Sequence, residues 1–212
     1  MAFWVIIAGI IGARLYYVLF NFSYYSAHAG EILQVWKGGL AIHGALIGGA
    51  GAYFLFVWRR KIPALLYADI MVPGILFAQA LGRWGNFFNN EAFGRPTSLP
   101  WKLFIPEQFR PSQYADFSYF HPAFLYESIW NFVGVAVLVW MLRGTRKNGK
   151  IFFLYLIWYS FGRFFIESLR TDSLYFGQLR AAQLASAVLF LGGILGLLIL
   201  RKKTIIKPLN KP

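Results

Sequence analysis

The segment Gly82-Arg83-Trp84-Gly85-Asn86-Phe87-Phe88-Asn89-Asn90-Glu91-Ala92-Phe93-Gly94 loads an arginine, three asparagines and a glutamate onto the end of the apolar run Ile70–Leu81. In water this cluster would be an ordinary polar loop. Behind a run that reads as membrane-spanning, Arg83 lies near or below the lipid headgroups, where an ionisable side chain is costly and by default marks a functional site. That junction sets both the class of the protein and the place to look for its chemistry.

Composition agrees with a membrane protein. Of 212 residues, 58% are hydrophobic and 20% aromatic, and only 14% are charged, against about 25% in a typical soluble domain. The net charge of +13 does not point to nucleic acid, because the lysines and arginines fall in short blocks between apolar runs and no basic stripe interleaved with polar readout residues is present. Cysteine is absent, which excludes disulfides, thiolate metal sites and a thiol nucleophile of the protein's own. His28, His43 and His121 lack the H-x-x-x-H spacing of a metal pair. No metal and no cofactor are expected.

Six apolar runs approach the roughly 20 residues a helix needs to cross a bilayer: Ala2–Phe20, Leu40–Trp58, Ile70–Phe88, Phe124–Leu142, Ile151–Phe165 and Gln183–Leu200. The predicted fold is all-α, a polytopic membrane helical bundle forming one catalytic domain over residues 1–212. Residues 91–120, broken by Pro96, Pro100, Pro106 and Pro111, are too polar for another span and read as a small extracytoplasmic cap. Three basic blocks mark the cytoplasmic ends: Arg59, Arg60 and Lys61; Arg143, Arg146, Lys147 and Lys150; and Arg201, Lys202, Lys203, Lys207 and Lys211. Met1 opens almost directly into the first run with no basic n-region and no small-residue cleavage site, so residues 2–20 read as a span and not as a cleavable signal. Both termini then fall in the cytoplasm.

On this orientation the three outward-running spans each carry an arginine. Arg14 and Arg163 lie about 18 Å, and Arg83 about 20 Å, from the inner ends of their spans in a hydrocarbon core about 30 Å thick, which places all three in the outer half. His43 enters about one turn below the outer end of the second span, and His121–Glu127 opens the fourth from the same side. Of the eight acidic residues, all but Asp69 lie on or near that side. The polar groups converge on an outward-facing site.

Each candidate has a structural reading beside its functional one. Arg83 and Arg163 present a donor fork that matches a phosphate bidentately, or pair internally with Glu91, Glu127 or Glu167. Arg14 either serves the site, holds structure, or snorkels to the interface. Arg163, Glu167 and Arg170 stand at offsets of zero, four and seven, on one helical face, as a solvated ion ladder also would. Asn86, Asn89 and Asn90 either line the site or satisfy the backbone where a span ends. His43 sits in an apolar, glycine-rich stretch, where it takes a proton near neutrality or is a satisfied structural ring. A weak echo, Gly12-Ala13-Arg14, Gly82-Arg83 and Gly162-Arg163, fits helix packing without implying a repeat.

Together these residues resemble the bacterial prolipoprotein diacylglyceryl transferases. Gly82–Gly94 fits that family's signature, glycine-arginine-x-glycine-asparagine-phenylalanine-x-asparagine-x-glutamate-x-x-glycine, at every specified position. Gly12–Arg14, His43–Gly49 with Ala45 in place of a usual glycine, His121–Glu127 and Arg163–Arg170 resemble further family blocks in the same order. One departure stands out: the family normally has seven spans, and the chain starts at what resembles the second. The resemblance implies transfer of the sn-1,2-diacylglyceryl group from phosphatidylglycerol to the lipobox cysteine of a prolipoprotein signal peptide, the first step of lipoprotein maturation, in the bacterial inner membrane with the site facing the extracytoplasmic side. It implies His43, Arg83 and Arg163 as catalytic residues. Arg83, Asn86, Asn89, Glu91, Gly94, Arg14, Tyr126, Glu127, Glu167 and Arg170 are implied for phosphatidylglycerol binding. The alternatives are a lipid- or anion-translocating protein and a non-catalytic phospholipid-binding subunit.

Overall fold

The structure, a computed structural model, describes residues 1–144 and 147–205, so Arg146, Lys207 and Lys211 of the basic blocks lie outside the described residues. The helices are α1 (Ala2–Phe20), α2 (Phe22–Ala27), α3 (Ile42–Arg60), α4 (Ala64–Phe88), α5 (Ala123–Gly144), α6 (Lys150–Leu169) and α7 (Ala181–Ile205). Among the described residues five of these, α1, α4, α5, α6 and α7, are long and apolar enough to cross a bilayer. The chain is a multi-pass helical membrane protein.

The sequence pattern predicts six spans, and α3 is the difference. It has 19 residues, the same length as α1, but His43, four glycines and the Arg59–Arg60 pair dilute its apolar content. Boundaries shift elsewhere too. The first helix runs as expected, whereas α4 begins ahead of Ile70 and takes in Asp69, and α6 runs past Phe165 to Leu169 and carries Glu167 onto the helix. His43 lies in the opening turn of α3 rather than a turn inside it.

By contact the chain divides into an N-terminal unit, Met1–Ala64, and a C-terminal unit from Leu65 onward. In the N-terminal unit α1 packs on α3 through glycine. A Cβ on Gly12 would strike the Gly44 carbonyl, one on Gly44 would strike the Gly12 carbonyl, and one on Gly48 would strike the Ala8 carbonyl. Backbones touch because neither helix offers a side chain there, the small-residue packing that serves where lipid gives no hydrophobic drive.

In the C-terminal unit Val72, Leu76, Leu138 and Ile151 form a buried cluster from α4, α5 and α6, flanked by Tyr155, Trp158 and Tyr159. Asp69 of α4 caps the start of α6: its Oδ2 accepts from the Gly149 N–H at 2.6 Å and its Oδ1 from the Phe152 N–H at 2.7 Å. A carboxylate at a helix N-terminus satisfies donors that have no partner within the helix. Gly193 and Gly196 of α7 make room for Phe153 and Ile157 of α6.

Between α4 and α5, strand β1 (Leu103–Phe104) pairs antiparallel with β2 (Tyr119–Phe120), and two single 3₁₀ turns lie between them. Phe93, Ile105 and Phe120 give this segment a small core of its own with Leu103 and Tyr114 against it. Between α6 and α7, β3 (Tyr175–Phe176) and β4 (Leu179–Arg180) form a hairpin that turns at Gly177, φ 62°.

Candidate active site

Three helices of the C-terminal unit bring an unbroken line of charge together. Arg83 comes from the last turns of α4, Glu127 from the second turn of α5, and Arg163 and Glu167 from the last turns of α6. Arg163 donates from one nitrogen to Glu127 Oε2 at 2.8 Å and reaches Glu167 Oε2 with the other at 2.5 Å. Arg83 Nε stands 3.1 Å from Glu127 Oε1, an ion pair without hydrogen-bond alignment. Arg170 approaches Glu167 at 4.0 Å and grips Asp172 through two bonds of 2.9 and 2.8 Å. The line therefore alternates: Arg83, Glu127, Arg163, Glu167, Arg170, Asp172.

Burial explains the alternation. The side chains of Glu127 and Glu167 are only 3% and 2% exposed, and a charge so placed is tolerated only when paired. Each carboxylate therefore sits between two arginines. Arg83, at 24%, is the most exposed arginine of the line, against 14% for Arg163 and 13% for Arg170. At the far end burial pushes the Asp172 carboxyl up, but the hydrogen bond and charge of Arg170 outweigh it and hold the group below the usual carboxylate range. Burial likewise opposes the charged form of Arg170, and Asp172, followed by Glu167 and Glu127, raises it above its ordinary value.

At the other end the polar line continues through amides. Arg83 donates to Asn86 Oδ1 at 3.3 Å, and Asn86 and Asn89 both donate to Glu91 Oε1, at 2.9 and 3.3 Å. The chain leaves α4 through Asn90 at φ 52° and Ala92 at φ 56°. Asparagine accepts that left-handed conformation readily, while for alanine it costs about 1 kcal/mol. Trp84, next to Arg83, donates to Ser128 Oγ at 3.1 Å, and Ser128 donates to the Ala80 carbonyl at 2.9 Å, which ties α4 to α5 beside the Arg83–Glu127 pair.

The remaining candidates have other surroundings. Gly94 pairs in a β-bridge with Arg170; its N–H donates to the His121 carbonyl at 2.8 Å, and a Cβ there would come within 2.7 Å of the His121 Cβ. Glycine is thus required by close packing that also anchors the start of Arg170. Tyr126 turns away from the charged line, with its hydroxyl 3.2 Å from His121 Nδ1 and accepting from Trp101 at 2.9 Å. Arg170 stands just past the end of α6, in extended conformation, and so reaches Glu167 from the cap rather than from the helical face the spacing implies.

Arg14 and His43 belong to the N-terminal unit. Arg14, 7% exposed, donates to the carbonyls of Glu31, Ile32, Gly38 and Gly39 at 2.7 to 2.9 Å. Four of its five N–H groups are engaged there, with Tyr17 and Tyr25 against the guanidinium. Gly38 and Gly39, at φ 86° and 72°, turn successive carbonyls toward it, so Arg14 fastens the loop between α2 and α3. His43 is exposed in this structure, and its ring stacks near Tyr16, 5.8 Å between centroids.

This arrangement can hold a multiply charged oxyanion at the Arg83 edge and keep two arginines side by side without repulsion. The described residues contain no group of three or more His, Cys, Asp or Glu placed to hold a metal ion. The family model described as prolipoprotein diacylglyceryl transferase matches residues 1–199. The chain belongs to that family. The phosphatidylglycerol–prolipoprotein diacylglyceryl transferase of Synechococcus elongatus is 52% identical over 203 residues, covering 93% of this chain and 70% of the relative. The enzyme of that name from Thermotoga maritima is 52% identical over 205 residues, covering 95% and 69%, and that of Trichormus variabilis 46% identical over 220 residues, covering 100% and 78%.

As a member of the diacylglyceryl transferase family, the chain bears out the resemblance carried by Gly82–Gly94. Two parts of the site escape a reading of the sequence. Asp172 lies beyond the last motif and joins only because the backbone turns at Arg170. The Trp84–Ser128 bond depends on α4 and α5 being neighbours. One further feature has a signal in the sequence: tryptophan followed four residues later by glycine occurs in both α5 and α6, at Trp130–Gly134 and Trp158–Gly162.

Proposed function

We propose that this protein transfers the diacylglyceryl group of phosphatidylglycerol to the thiol of the lipobox cysteine of a prolipoprotein, in the bacterial inner membrane and from its extracytoplasmic side. The observation that carries the reading is the position of Arg83: the family signature delivers it from α4 into contact with Glu127, which in turn holds Arg163.

The chemistry needs that pairing. The substrate sulfur attacks the glyceryl carbon bonded to the phosphate oxygen; a C–S bond forms, the C–O bond breaks, and its electron pair leaves on the phosphate as glycerol phosphate. A phosphodiester with one negative charge becomes a monoester with two. Guanidinium groups placed where that charge grows stabilise the transition state more than the ground state. Arg83, the more exposed, receives the phosphate, and Arg163 adds the second positive charge. Glu127 offsets their mutual repulsion before the phosphate binds, and Glu167 fixes the Arg163 fork. Asn86, Asn89 and Glu91 shape the headgroup end; Tyr126, Gly94 and Arg170 support the wall behind it, and Arg14 holds the loop between α2 and α3.

The nucleophile belongs to the substrate, consistent with a chain that has no cysteine. A thiol with a pKa of about 8.5 is only a few per cent thiolate at neutral pH, so proton removal accelerates attack, and His43 is assigned that task. Transfer from labelled phosphatidylglycerol to a lipobox peptide tests the whole reading. Thioether product from the parent chain, none from Arg83→Ala and none with a cysteine-to-serine peptide, is the expected result. Lipid that binds or crosses a liposome unchanged would replace the enzyme with a binding or translocating protein, and full activity of His43→Ala would remove the histidine from the mechanism.

A further inference from the structure

Trp130 of α5 and Trp158 of α6 form a reciprocal clasp. Their indoles stack with centroids 4.4 Å apart and planes 17° from parallel. Trp130 Nε1 donates to the Trp158 carbonyl at 3.0 Å, and Trp158 Nε1 donates to the Trp130 carbonyl at 3.1 Å. Each carbonyl is a helix acceptor for the residue four further on, Gly134 on α5 and Gly162 on α6. A Cβ on Gly134 would collide with Trp158 Nε1, and one on Gly162 with Trp130 Nε1. The glycines open the path by which each indole reaches past its neighbour's helix surface to a backbone oxygen. Two Trp-x-x-x-Gly motifs are therefore one device, and neither half works without the other.

The clasp sets the height of α5 against α6. Glu127 lies three residues from Trp130 and Arg163 five from Trp158, toward the same end of the antiparallel pair, or about 4.5 and 7.5 Å along the axes. The long arginine side chain spans the difference and meets Glu127 at 2.8 Å. A slip of one turn, about 5.4 Å, would carry Glu127 out of reach of Arg163, while the surrounding aromatic contacts could re-form. Stacking alone permits sliding; two directed N–H···O bonds through glycine gaps do not. We infer that Trp130 and Trp158, with Gly134 and Gly162, are positioning residues that act through the Glu127–Arg163 pair, an inference that rests on the proposed transfer reaction.

The test is a double-mutant cycle. Trp130→Phe and Trp158→Phe each keep a ring and delete one N–H, and each is expected to lower transfer about tenfold, the size of one buried hydrogen bond. In a Glu127→Gln background the same replacements should cost less than about twofold, because the pair they position is already broken. A tenfold loss that persists in that background overturns the inference and leaves the clasp merely structural. If Glu127→Gln turns over too slowly, the affinity for phosphatidylglycerol in nanodiscs supplies the same cycle with the same two outcomes. Gly162→Ala, which displaces the Trp130 indole, should reproduce Trp130→Phe. Indole N–H spectra give a readout independent of catalysis: the signals of Trp130 and Trp158 should both be protected from exchange, and each Phe variant should remove one of them and shift the other. A parent chain with protected indoles and no transfer would refute the proposed function rather than the clasp.

Discussion

Replacing Asp69 with alanine should destabilise the C-terminal unit while sparing the chemistry. The carboxylate is 3% exposed and spends both oxygens on the N–H groups of Gly149 and Phe152 at the start of α6. Losing an N-cap costs about 0.5–2 kcal/mol, and a hydrogen bond to a charged group is worth about 1.5–3 kcal/mol. Two such bonds at one buried cap give about 3 kcal/mol. For a chain of this size that is a fall in Tm of about 6–12 °C. Asparagine retains a single acceptor oxygen and should lose about half as much, by the same count of bonds. Arg163 lies thirteen residues along α6 from Lys150, about 20 Å away, so transfer by folded protein at low temperature should stay within about twofold, there being no shared partner to couple the two ends. Thermal unfolding in detergent, followed by tryptophan fluorescence, and transfer at 20 °C decide the matter. An unchanged Tm would refute the cap, and a loss of transfer without loss of stability would refute the separation of the two ends.

Three further outcomes follow from the same geometry. Gly44→Ala should push α1 and α3 apart and cost about 1–3 kcal/mol, as overpacking does, whereas Gly51→Ala, with open space around it, should leave thermal unfolding unchanged or slightly improved. Arg163→Lys keeps the charge but cannot span Glu127 and Glu167 as the planar fork does; transfer should fall by about tenfold or more, the loss of one charge-assisted bond, with the helical circular dichroism unaltered. Asp172 has its pKa lowered in the folded protein, so its contribution is complete above its unfolded pKa near 3.9 and disappears as pH falls through the lower folded value. The Tm gap between Asp172→Asn and the parent should hold from pH 7 to 5 and close below about pH 4.

How much of this could be read beforehand depended on range. The signature Gly82–Gly94 is local, and its own asparagines do bond within it: Asn86 and Asn89 meet Glu91 two to five residues away. Arg163 and Glu167 are one helical turn apart, so their pairing was legible too. The glycine echo divides two ways. Gly12 and Gly162 stand at tight contacts, but Gly82 faces open space, and nothing in the three short glycine–arginine stretches foretells which is which.

Composition and apolar run length determined the class, because in lipid a backbone is satisfied only as helices or closed barrels and continuous apolar runs of about 20 residues fit helices, and the motifs determined the family. Which charges meet was decided by tertiary structure. Glu127 belongs to no local pattern with Arg83 or Arg163, 44 and 36 residues away, and is bound between them only because α4, α5 and α6 converge. Arg14 reads like its two counterparts but is consumed by four backbone carbonyls of its own loop. A guanidinium's role is set by the acceptors that surround it, and those acceptors are supplied by parts of the chain that only folding brings near.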